Sequence, residues 1–88
     1  LHREDLAEDL QWAWDCIRAQ GEEVTCLGEL NHGDPWDRAT LFLSVLFLAD
    51  MGWLEVWQKE LPHGEIYLRP LHEDETITPK TLPAAEVA

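Results

Sequence analysis

Between Asp34 and Gly52 lies the segment that most restricts what this chain can become. Asp34 can accept from exposed backbone donors, Pro35 suits the first helical position and Asp37 favours the positive end of a helix, so a helix starts at Pro35. Downstream, Leu41, Phe42, Leu43, Val45, Leu46, Phe47, Leu48, Ala49 and Met51 leave that helix apolar on nearly every face until Gly52 stops it. A chain of 88 residues builds one small domain and can bury only one or two of those faces. At helical spacing Leu41, Phe42, Val45, Leu48 and Ala49 form one stripe, and Leu43, Leu46, Phe47 and Asp50 form another. One stripe is enough for a core. The other is read as a protein-binding patch, because a large contiguous apolar surface on a small domain usually meets a partner. The alternative is that neighbouring elements bury both.

Those neighbours can be placed from their own patterns. Leu6, Leu10, Ala13, Trp14 and Ile17 recur at helical spacing behind an acidic start, and Gly21 stands where a left-handed cap is wanted, which predicts a helix over 5–20. Glu23, Val24 and Thr25 read as a short extended piece, and 26–30 as a brief helix closed by Asn31, His32 and Gly33. Beyond Gly52, residues 53–58 are rich in aromatic and branched side chains, Leu61, Pro62, His63 and Gly64 supply a turn, and 65–69 form the returning strand. Strand alternation puts Leu54 and Val56 on one face with Ile66 and Leu68 opposite them, leaving Trp53, Trp57 and Tyr67 on the other, partly exposed face. From Pro70 onward the pattern dissolves, and 70–88 is expected to be a flexible tail. Helix, short strand, short helix, long helix and hairpin together predict an α+β winged-helix domain over 1–69, with three helices, a short first strand and a two-stranded β-wing.

The side chains exclude most chemistry. Eighteen Asp and Glu against six Lys and Arg give a formal charge of −12 and a pI near 4.4, which repels a phosphate backbone. The third helix, where a winged helix reads DNA, offers only Arg38 for the task, and its remaining side chains are too apolar for a hydrated groove. Direct nucleic-acid binding is therefore not expected, and fold analogy alone does not restore it. Glu4, Asp5, Glu8, Asp9 and Asp15 read as a solvated helix face instead of an acid and base pair. His2, His32, His63 and His72 are scattered and lack the spacing of metal ligands. Cys16 and Cys26 have no neighbouring base and match no metal motif, so they read as reduced packing residues. No glycine-rich phosphate loop is present. No catalytic residue, cofactor or metal is assigned, and no enzyme activity is expected. The longest apolar stretch is broken by Ser44 and Asp50, so no membrane association is expected and the chain reads as soluble. Its start at Leu1 suggests a domain cut from a longer polypeptide.

Residues 42–52, then Leu54-Glu55-Val56-Trp57-Gln58 and Pro62-His63-Gly64-Glu65-Ile66, resemble the C-terminal winged-helix domain of the ScpA family, the bacterial kleisins. The family pattern is an apolar helix beginning Phe-Leu, a short turn with Gly, a strand ending in Gln, a Pro-Phe-Gly wing turn, an acidic residue and Ile. The likeness covers 6–69 in element order and is most specific over 42–66; it departs at Phe47, Trp57 and His63. The resemblance implies a non-catalytic domain that docks on the ATPase head of an SMC protein, helping close a condensin-like SMC-ScpA-ScpB ring in chromosome condensation and segregation. It implies a cytoplasmic, nucleoid-associated protein that meets ScpB through a central region outside these residues. Carried over, the best-matching head-binding positions are Phe42, Leu46 and Gln58, with Trp53, Trp57 and Tyr67 as an aromatic fringe. The alternatives are a winged-helix nucleic-acid-binding domain and a self-associating structural domain built on the same apolar helix.

Overall fold

A computed structural model describes residues 3–30, 34–61, 63–73 and 76–77. Helix α1 (Arg3–Ala19) turns Leu6, Leu10, Ala13, Trp14 and Ile17 inward as its spacing predicts, and all five are buried. It ends at Gly21, whose positive φ of 65° is a conformation that glycine reaches without strain and whose N–H donates to the Arg18 carbonyl. Strand β1 (Thr25–Cys26) and the four-residue helix α2 (Leu27–Leu30) follow, each shorter than or shifted from its predicted span. Pairing decides this: Thr25 lies opposite Leu68 and Cys26 opposite Tyr67, so Cys26 belongs to the strand and not to the helix.

Helix α3 (Pro35–Asp50) starts where Asp34, Pro35 and Asp37 place it, and the Asp34 carboxylate accepts from the Trp36 N–H at 2.9 Å. Asp34→Ala leaves that donor to solvent and should cost about 1 kcal/mol of unfolding free energy, readable as a lower urea midpoint with an unchanged slope. The far end of α3 closes as a Schellman motif. Gly52, at φ 83°, donates its N–H to Ala49, and the Trp53 N–H reaches back to the Leu48 carbonyl at 2.9 Å.

Strands β2 (Leu54–Gln58) and β3 (Ile66–Pro70) form the hairpin, and β1 adds to the outer side of β3, giving an antiparallel sheet of order β1-β3-β2. Leu54 and Leu68 are buried beneath the helices, with Val56 and Ile66 packed at the edge of the same core. The hairpin turn requires glycine at position 64. A Cβ there would stand 2.3 Å from the Glu60 carbonyl oxygen, to which the Gly64 N–H donates. The outcome is a small α+β domain of three helices and a three-stranded antiparallel sheet, compatible with a winged-helix-like arrangement.

Two expectations need correction. Trp53 does not share a partly exposed face with Trp57 and Tyr67: it is 8% exposed, with its ring edge-on to Trp14 at 5.2 Å. The cause is the Schellman turn, which places the residue after Gly52 against the last turn of α3 before strand alternation begins. Nor does packing end at Arg69. The Leu71 N–H donates to the Trp53 carbonyl, and Arg18 donates to the His72 carbonyl at 2.9 Å. Ile77 is buried, and its N–H donates to the Gln11 side chain at 2.7 Å. The described part of the expected flexible tail 70–88 therefore continues the domain, because Ile77 covers apolar surface that the helices leave open. The remainder of that tail, 74–75 and 78–88, lies outside the described residues, as do His2, Pro62 and the turn at Asn31, His32 and Gly33.

Candidate protein-docking surface

The apolar helix divides along its length. Leu41, Ser44, Val45 and Leu48 are buried against α1 and the sheet, at the i, i+3, i+4, i+7 spacing of one helical face. Phe42, Leu43 and Leu46 are left 43%, 57% and 47% exposed. Neither sequence stripe survives whole: Phe42 turns out of the first, and Phe47 leaves the second to become half-buried. A helix of 3.6 residues per turn swings Phe42 about 100° from Leu41, and the core takes only the narrower set that includes Ser44. Trp36, in the first turn of α3, is the most exposed aromatic of the helix at 77%.

The aromatic fringe is a separate surface. Trp57 and Tyr67 face one another across β2 and β3, with rings stacked at 5.7 Å and 19°. The Lys59 ammonium sits over the Tyr67 ring at 5.1 Å, and the neighbouring cross-strand pair Glu55 and Arg69 forms an ion pair at 2.6 Å. These side chains occupy the sheet face opposite Leu54 and Leu68, so the sheet backbone separates them from α3. Gln58 has the parity of Leu54 and Val56, on the side that packs toward α3; its amide donates to the Gly64 carbonyl and pins the hairpin turn. Of the six candidate residues, Phe42 and Leu46 thus share an exposed helix face, Trp57 and Tyr67 share the outer sheet face, Gln58 is tied into the turn, and Trp53 is core. Leu43 was missed as a site residue although it stood in the second stripe, since periodicity alone does not say which shoulder of an all-apolar helix stays uncovered.

Nothing in this arrangement concentrates reactive groups. Among the described residues no group of three or more His, Cys, Asp or Glu is placed to hold a metal ion, and no helix is long and apolar enough to cross a membrane. Burial raises the Cys16 thiol above its ordinary value, and the nearby Asp15 and Asp37 carboxylates raise it further. Cys26 is raised by desolvation and by Glu29 and Glu65, against a smaller opposing effect of Lys59. Because both thiols stay protonated to higher pH than an ordinary cysteine, alkylation by iodoacetamide should climb only above the usual thiol midpoint. A rate-against-pH profile with its midpoint at or below that of a cysteine peptide would contradict this placement. No family model, curated protein or solved structure matches the chain.

Proposed function

We propose that this chain is a winged-helix domain of the kleisin type that docks on the ATPase head of an SMC protein and so helps close an SMC-ScpA-ScpB ring in chromosome condensation and segregation. The observation that carries the proposal is the exposed apolar shoulder of α3, where Phe42, Leu43 and Leu46 stand together on a strongly acidic domain. Supporting it are the element order, the β1-β3-β2 sheet and the glycine that the hairpin turn requires, at the place where the family's wing turn carries its own. The role is adhesive: α3 buries its apolar shoulder against the head, while ATP is hydrolysed by the partner. ScpB is met elsewhere in the longer protein, and the ring acts at the nucleoid in the cytoplasm.

Light-scattering mass of the domain alone, then mixed with a cognate SMC head, tests this. A monomer that shifts to a one-to-one complex is the expected result. A stable dimer that ignores the head would assign the same apolar shoulder to self-association and overturn the proposal.

A further inference from the structure

A concavity lies on the side of α3 that faces α1, next to the exposed shoulder. Its walls are Leu6 and Asp9 from α1 and Trp36, Thr40, Leu43 and Phe47 from α3, with Ser44 at the seam between the helices. The space it encloses is about 220 Å³, below the roughly 300–1,000 Å³ of small-molecule pockets and suited to one or two inserted side chains. At 3.6 residues per turn, Trp36, Leu43 and Phe47 point well away from Phe42, so the groove shares Leu43 with the head-docking surface but uses neither Phe42 nor Leu46.

Charge decides what can sit in it. None of the residues lining the groove is basic. Asp9 forms part of the wall, and Asp5, one turn before it on the same flank of α1, is also exposed. Two carboxylates at i, i+4 repel one another, so a cation placed beside them relieves a cost the isolated domain carries. Asp50 stands exposed at the far end of the same stripe of α3, beyond Leu43 and Phe47. On the opposite wall the indole of Trp36 is 77% exposed, a face over which a guanidinium binds well. The site is therefore apolar at its centre, acidic at its margins and aromatic at one end, within a chain of net charge −12.

From this juxtaposition we propose that the α1/α3 groove binds a cationic amphipathic helix, which inserts leucine-like side chains between Leu6, Leu43 and Phe47 and sets flanking arginines against Asp5, Asp9 and the Trp36 ring. Helix-in-groove recognition works through apolar anchors at i, i+3, i+4 and i+7, and Trp36, Thr40, Leu43 and Phe47 line the α3 wall over about three helical turns. The opposite charge of such a segment steers it to this domain and rejects acidic helices of equal hydrophobicity.

The test uses a dye-labelled peptide of roughly five helical turns, with leucines on one face and arginines on the other, titrated by fluorescence anisotropy. Two controls accompany it: a scrambled peptide of identical composition and the same amphipathic helix with glutamates for arginines. The amphipathic Leu/Arg peptide should bind, Trp36→Ala with Leu43→Ser should weaken it about tenfold or more, and Asp5→Asn with Asp9→Asn should weaken it several-fold with a shallower salt dependence. Phe42→Ser, outside the groove, should leave it unchanged, which separates this site from the Phe42 and Leu46 part of the head-docking surface. Equal binding of the scrambled peptide would reduce the effect to bulk charge and overturn the proposal. So would undiminished binding by Trp36→Ala/Leu43→Ser, or no binding of the amphipathic peptide to the unaltered domain.

Discussion

Trp53→Ala should lower the stability of the domain by about 3–5 kcal/mol. For a chain of this length the whole folding free energy is only about 0.05–0.15 kcal/mol per residue, so the loss is a large share of the total. The reason lies in what the indole holds together. The ring packs edge-on to Trp14 at 5.2 Å and lies 5.1 Å from the His72 ring, whereas the backbone bonds of residue 53 to Leu48 and Leu71 survive in alanine. Truncation opens a void between α1, the α3 terminus and the segment after β3, and these close-packed elements can collapse into it only partly. Urea titration followed by helical circular dichroism reads the effect. Trp57→Ala provides the contrast: a half-buried ring with one stacked partner, Tyr67, should cost about 0.5–1.5 kcal/mol beyond its lost area. Equal losses at the two positions would show that Trp53 is not the keystone described above.

Leu46→Arg should do the reverse, sparing the fold and abolishing docking. The side chain is 47% exposed in the isolated domain, so an arginine there keeps its charge in water and changes stability by no more than about 0.5 kcal/mol. Within a complex the same guanidinium would be stripped of water against an apolar surface. Losses at such anchor positions reach about 2 kcal/mol or more, a factor of roughly 30 in affinity. Isothermal titration against an SMC head, beside a thermal melt of the variant, separates the two effects. A melt that collapses would place Leu46 in the core; wild-type affinity with a normal melt would remove it from the interface.

Much of this architecture was legible in local chemistry. Asp34, Pro35 and Asp37 mark the start of α3 to the residue because capping and the fixed φ of proline act within one turn. Leu6, Leu10, Ala13, Trp14 and Ile17 mark the buried face of α1 because the rest of that helix is polar. The hairpin was legible for the same reason, since Leu54 and Val56 alternate with polar or amphipathic neighbours. Local pattern failed where a distant element decided. Cys26 entered a strand because Tyr67 lies opposite it, and Ile77 became core because α1 offered Gln11 as a backbone partner.

The candidate site divides along the same line. A surplus of apolar side chains on α3 follows from sequence alone: too many are present for one small domain to bury. Which of them face water does not follow, because on an all-apolar helix every rotation satisfies the periodicity equally well. Packing against α1 and the sheet chose Leu41, Ser44, Val45 and Leu48 for the core and left Phe42, Leu43 and Leu46 outside. Sequence by itself determined that the helix exists, where it begins and ends, that its apolar surface is excessive and that the domain around it is acidic. Only the tertiary structure decided that Trp53 is core, that the aromatic pair lies across the sheet from α3, and that a groove with Asp9 on its wall opens toward α1. Capping, charge and periodicity act over a few residues, whereas burial depends on which surfaces, remote along the chain, are brought into contact.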